Sequence, residues 1–102
     1  MADFTFEVDG TTYELLYAEK RVEMAESAIG NKSIISVFTA QPTLRETKTL
    51  FAYGIRENGQ SAWVNPTQAI ELAGKYLQEH GYAQMIEALS DALMKDCGFL
   101  FR

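Results

Sequence analysis

The sequence has few of the residues on which catalytic and metal sites depend. Its 102 residues include one cysteine, Cys97, and one histidine, His80. A single histidine excludes a multi-histidine metal site, and a single cysteine cannot form an internal disulfide. The sequence also lacks a dinucleotide-binding glycine motif, a phosphate-binding loop, a C-x-x-C motif and an H-E-x-x-H motif. We therefore expect no catalytic residues, no metal ligands and no cofactor.

The two rare residues have structural interpretations. His80 lies on the apolar side of the last predicted helical turn before Gly81, where a cation would favour the carboxyl end of a helix. Cys97 falls in a helical apolar stripe, which is typical of a small core side chain rather than a reactive thiolate. The acidic pair Glu87 and Asp91 faces away from that stripe, as solvated charges usually do.

Long apolar runs and basic patches are absent as well. No apolar run approaches the ~20 residues that a membrane helix requires, and the amino terminus lacks the regions of a signal peptide. The net charge of −5 lies in residues 1–29, which carry seven acids against Lys20 and Arg21, while residues 30–102 carry seven charges of each sign. Without a basic stripe we expect no nucleic-acid binding. The acidic third is either a solvated face or a docking surface for a basic partner.

The residues that are present predict a mainly α fold, in which an N-terminal β-hairpin packs on a bundle of about five helices around a single core. Residues 4–15 predict the hairpin, because Asp9-Gly10 separates two alternating runs. The run 34–40 has helical spacing but is short enough to be a buried strand instead. At this length we expect one domain, 1–102. The predicted helices span about 18–29, 34–40, 43–57, 66–80 and 82–97.

The central helix, residues 43–57, has the clearest boundaries. Thr43 and Glu46 have the spacing of a capping box, in which each side chain satisfies a backbone donor of the first turn. Asn58-Gly59 predicts the end of the helix, since glycine adopts the left-handed geometry of a helix terminus readily. Gly54 lies in the middle of the apolar face and predicts a close crossing with another helix.

The large apolar side chains divide into those expected in the core and those available to a partner. Leu44 and Ile70 fall on apolar helix faces, so we expect both in the core. The only tryptophan lies in a polar loop, where a large aromatic ring either folds back onto the core or contacts a partner. The apolar segment 99–101 either packs down or binds something. The candidate partner-binding residues are therefore Trp63, Val64, Phe99, Leu100 and Phe101.

The order of these elements is similar to that of a known family. The hairpin has the form F-x-V-D-G-x-x-Y-x-L, and an alanine-rich helix ending in Ile29-Gly30 follows it. A central helix, a further helix and the closing stretch EALSDALMKDCGFLF complete the chain. This layout resembles the small tail assembly chaperones of long-tailed bacteriophages and prophages, and the related short tail-cluster proteins of gene transfer agents.

The resemblance implies a mostly helical protein without catalytic activity in the host bacterial cytoplasm, which the lone thiol also favours. Its implied partners are the tape-measure protein, which it keeps soluble, and the tail-tube protein, which assembles on the tape measure. The family has no fixed functional residues to transfer. A structural virion component, such as a tail-completion or connector subunit, and a small acidic regulatory module are the alternatives. The hairpin edges and the apolar segment at residues 99–101 leave surfaces for a homo-oligomer, although no residue requires one.

Overall fold

The computed structural model describes residues 4–101, and within them the chain forms three β-strands, five α-helices and a closing 3-10 helix. The mainly α fold with an N-terminal hairpin is confirmed. The strands are β1 (Thr5–Val8), β2 (Thr11–Leu15) and β3 (Ile55–Glu57). The helices are α1 (Glu19–Ala28), α2 (Ile34–Thr39), α3 (Leu44–Ala52), α4 (Pro66–His80) and α5 (Tyr82–Asp96), followed by the 3-10 helix Gly98–Phe101.

The hairpin forms around the turn that the sequence predicts. Asp9 and Gly10 have φ angles of 52° and 84°, the left-handed pair that a two-residue turn requires. Val8 then pairs with Thr11, and Phe6 pairs with Tyr13 with their rings stacked at 5.8 Å. Because side chains alternate along a strand, this register places the apolar residues of both strands on the face that covers the helices.

A third strand extends the sheet in the order β1-β2-β3. In β3, Ile55 pairs with Leu15 and Arg56 pairs with Glu14, both antiparallel. The prediction of one helix over residues 43–57 is therefore wrong beyond Ala52. Asn58-Gly59 does not close a helix but turns the chain after β3, with a φ of 88° at Gly59.

Side chains from the segment after β2 explain why α3 ends early. The last carbonyls of a helix have no partner within it and must be satisfied from outside. The Tyr17 hydroxyl donates to the Leu50 carbonyl at 2.5 Å, and Arg21 Nε donates to the Tyr53 carbonyl at 2.9 Å. Burial raises the pKa of Tyr17 well above its usual value, so the hydroxyl keeps the proton that it donates. The Gly54 carbonyl then accepts from Leu16 N at 2.8 Å, which begins the pairing with β2.

Gly54 is closely packed, but not against a helix as the sequence predicts. A Cβ added to it would lie 2.7 Å from the Tyr17 hydroxyl oxygen and closer still to two carbons of the ring. Tyr17 is only 3% exposed, so its ring has no free space to move into. The loop backbone at Gly54 therefore lies close to the buried Tyr17 ring, and not to another helix.

The start of α3 and the core agree with the sequence. The Thr43 hydroxyl accepts from Glu46 N at 3.1 Å, and Thr43 N donates to the Glu46 carboxylate at 2.9 Å, which completes the capping box. An aromatic group joins the sheet to α3 and α4: Phe51 lies 5.6 Å from Phe6 and 4.8 Å from Tyr76 between ring centroids. Other fully buried side chains surround it, namely Leu15, Ile34, Leu50, Ile55, Met85, Leu89 and Leu93.

We predict that Gly54→Ala lowers the free energy of unfolding by about 1–3 kcal/mol, because the new methyl group displaces the Tyr17 ring. Urea denaturation measures the change. Gly74→Ala is the matched control, because a Cβ there would meet only the Lys48 side chain, at 3.8 Å. Because Gly74 lies in the interior of α4, alanine there should raise the free energy of unfolding by about 0.5–1 kcal/mol. Equal effects of the two substitutions would contradict the packing at Gly54.

Candidate functional site

The predicted partner-binding residues occupy different environments, and Trp63 is held within the fold. Its backbone forms an isolated antiparallel bridge with Arg56, at the edge of β3. Its indole Nε1 donates to the Leu16 carbonyl at 2.9 Å, and the side chain is partly buried. Val64 donates its backbone N–H to Ile55 at 3.1 Å and packs against the core. Trp63 and Val64 therefore fold back onto the protein, which is the first of the two positions that the sequence allows.

Two arginines stack on the Trp63 ring. The guanidinium carbons of Arg21 and Arg56 lie 5.1 Å and 5.3 Å from the ring centroid, within cation–π range. Arg21 also lies 5.3 Å from the Tyr53 ring, and its burial there lowers the pKa of the guanidinium. Arg56 binds the Glu14 carboxylate through Nε and Nη2, both at 2.8 Å. We call Glu14, Arg21, Tyr53, Arg56 and Trp63 the arginine–tryptophan cluster.

The arginine–tryptophan cluster joins β2, β3 and the loop at Trp63 to Arg21, whose Nη2 is buried without a hydrogen-bond partner among residues 4–101. The Glu14 side chain is only 6% exposed, so its charge depends on Arg56 for compensation. Sequence reasoning identified Trp63 alone. Arg21 and Arg56 gave no signal, because strand pairing and the end of α3 bring them to the ring from distant parts of the chain.

The carboxyl-terminal candidates separate by exposure. Phe99 is 50% exposed, while Leu100 packs against the core and donates its backbone N–H to Cys97 at 2.9 Å. The side chain of Phe101 lies outside the described part of the structure. The 3-10 helix thus holds Phe99 at the surface, because the next residue, Leu100, is packed against the core.

His80 and Cys97, the two rare residues of the sequence, lie in different surroundings. Among residues 4–101, no three His, Cys, Asp or Glu side chains come together as a metal site would require. His80 lies with its ring 4.4 Å from that of Tyr76. Cys97 is fully buried, and that burial raises the pKa of its thiol. None of the helices in the described ranges is both long enough and apolar enough to cross a bilayer.

An open groove between α3 and α4 was not predicted. Its volume is about 560 Å³, and its lining residues are Leu44, Arg45, Lys48, Thr49 and Ile70. Leu44 is 50% exposed and Ile70 is 36% exposed, so the expectation that both lie in the core is wrong. Leu44 is the first residue of α3, where the neighbouring helix does not cover the apolar face. We call these five residues the α3–α4 groove.

No family model, curated protein or solved structure matches this chain. The resemblance to tail assembly chaperones therefore stays a prediction. Among residues 4–101, large apolar side chains are exposed in the α3–α4 groove and at Phe99, and also at Met24, Ile35, Tyr82 and Met94.

We predict that Trp63→Ala lowers the free energy of unfolding by about 2–3 kcal/mol, because it removes the indole hydrogen bond and both cation–π contacts. Phe99→Ala is the comparison, since it also truncates an aromatic side chain, but one that is half exposed. We expect it to change stability by less than about 0.5 kcal/mol. Chemical denaturation of both variants checks this, and a neutral Trp63→Ala would show that the cluster has no structural role.

Proposed function

We propose that the protein is a tail assembly chaperone without catalytic activity, which binds the tape-measure protein while tail-tube subunits assemble around it. The observation that carries the proposal is a pair of aliphatic side chains, Leu44 and Ile70, exposed in one groove between two helices. The second support is the order of elements in the sequence, from the hairpin to the apolar residues 99–101. The proposed place of action is the cytoplasm of a bacterial host.

An exposed apolar groove between helices suits a helical client. Single exposed apolar residues are ordinary on protein surfaces, but neighbouring ones in a concave site are a feature of binding surfaces. Amphipathic helices dock in such grooves by placing residues of one face, spaced at i, i+3, i+4 and i+7, against the apolar wall. A long helical tape-measure chain offers many such faces, which would aggregate if they were left in water.

Phe99 adds a second apolar contact near the carboxyl end of the described chain. Its ring is held at the surface by a 3-10 helix whose next residue, Leu100, is anchored in the core. A held side chain loses less conformational entropy on binding than one on a flexible tail. Covering a large apolar side chain fully contributes about 1.5–3 kcal/mol, so a half-exposed ring contributes part of that to a complex.

Co-expression with the tape-measure protein and the tail-tube protein tests the proposal. We expect the tape-measure protein to become soluble and to co-purify with this chain. Phe99→Ser should reduce the recovered complex, whereas Ile35→Ser, a control at a 37% exposed position on α2, should leave it unchanged.

Two results would contradict the proposal. If neither partner is solubilised or co-purified by the wild-type chain, the protein is not a chaperone for them. If the chain is found in finished phage particles, it is a structural component of the tail, because an assembly chaperone is absent from them.

A further inference from the structure

We infer that the α3–α4 groove recognises an amphipathic helix whose apolar face is flanked by carboxylates. This inference rests on the proposed function, because it names the chemistry of the client segment. It depends on three features of the groove: its exposed aliphatic walls, its two cations, and the absence of a carboxylate to pair with them among residues 4–101.

The cations of the groove are two residues of α3 that line it beside its apolar walls. Arg45 and Lys48 lie about one turn apart on α3, on the same side as Leu44. The Lys48 ammonium reaches across to α4, where it would lie 3.8 Å from a Cβ built on Gly74. Because Gly74 has no side chain, the lysine can extend over the backbone of α4 and remain partly buried. Both charges therefore border the apolar surface formed by Leu44 and Ile70.

Neither cation of the groove belongs to an ion pair with another residue of the described range 4–101. Three basic side chains elsewhere form ion pairs within 2.8 Å: Lys32 with Glu46, Arg56 with Glu14, and Lys75 with Asp9. Within residues 4–101, neither Arg45 nor Lys48 lies within 4.0 Å of a carboxylate oxygen.

Two carboxylates adjoin the groove along the sequence, and neither lies within ion-pair distance of Arg45 or Lys48. Glu46 adjoins Arg45, but its carboxylate binds Lys32 at 2.7 Å and the Thr43 N–H at 2.9 Å. The hydrogen bond from Lys32 lowers the pKa of Glu46, so the carboxylate stays ionised and committed to that contact. Glu71 follows Ile70 and lines the neighbouring depression together with Gly74 and Lys75. The groove is thus a positive surface on a chain with a net charge of −5.

Charge complementarity selects the occupant. A helix with basic flanks would meet Arg45 and Lys48 with like charge, whereas a helix with acidic flanks would supply the missing carboxylates. The apolar face of such a helix would cover Leu44 and Ile70, and its Asp or Glu residues would reach the two cations at the rim. The groove therefore discriminates between clients of equal hydrophobicity, by attraction to one charge and repulsion of the other.

The test uses the purified full chain and two synthetic helical peptides of about 18 residues, or five turns. Both peptides carry the same leucine face, flanked by glutamates in one and by lysines in the other. Fluorescence anisotropy at low salt should show the glutamate peptide binding about tenfold more tightly. The difference in affinity between the two peptides should become smaller in 0.5 M sodium chloride. Salt screens the charges at the rim of the groove, and the Debye length at that concentration is below ~5 Å.

The double charge reversal Arg45→Glu with Lys48→Glu should invert the preference, so that the lysine peptide binds more tightly. The matched control, Lys20→Glu with Lys75→Glu, makes the same charge change outside the groove and should retain the wild-type preference. Circular dichroism establishes that each variant is folded. The milder pair Arg45→Gln with Lys48→Gln should abolish the preference without inverting it, and it replaces the double reversal if that variant does not fold.

Two outcomes overturn the inference: equal binding of the two peptides to the wild-type chain, or the same preference after charge reversal. Its failure is distinct from failure of the proposed function. If the wild-type chain captures the tape-measure protein and the reversed variant captures it equally well, the chaperone proposal stands and the groove is not its site. If the peptides discriminate but no tape-measure protein is captured, the groove binds another acidic helix.

Discussion

The carbonyls at the end of α3 have no partner within the helix, and the junction between the hairpin and the helices forms where they are satisfied from outside. Tyr17 and Arg21 satisfy them from the segment that follows β2, so the helix stops and the backbone at Gly54 enters the sheet. This junction aligns Ile55 with Leu15 and completes the three-stranded sheet. It also fixes α3 against the sheet, and α4 and α5 pack on α3. One hydroxyl and one guanidinium therefore hold the end of α3 to the segment that follows β2, beside the aromatic contacts between the sheet and the helices.

The same junction explains why the most conspicuous residue of the sequence is not a free binding surface. Arg21, which bonds the Tyr53 carbonyl, also covers Trp63, and Arg56 reaches the same ring from β3. The tryptophan thereby packs at the edge of β3 against the two guanidinium groups. Exposed aliphatic surface lies at the opposite end of α3, where Leu44 begins the helix and is 50% exposed.

The features that local chemistry determines could be predicted from the sequence, and those that depend on distant partners could not. Asp9-Gly10 identified the hairpin turn, and Thr43 identified the start of α3 through its capping box. Strand β3 was missed because Ile55 continues the helical spacing of α3, and its strand geometry depends on pairing with Leu15. Periodicity assigned Ile70 to an apolar face, but it does not show how far a neighbouring helix covers that face.

Isoleucine methyl NMR of the complex shows whether a client helix docks on the α3–α4 groove, as we propose. Ile70 and Ile35 are 36% and 37% exposed, but only Ile70 lies in the groove. With 13C-methyl isoleucine labelling and added tape-measure protein, the account predicts that the Ile70 methyl resonance shifts or broadens while that of Ile35 stays in place. A shift at Ile35 with Ile70 unchanged would contradict it.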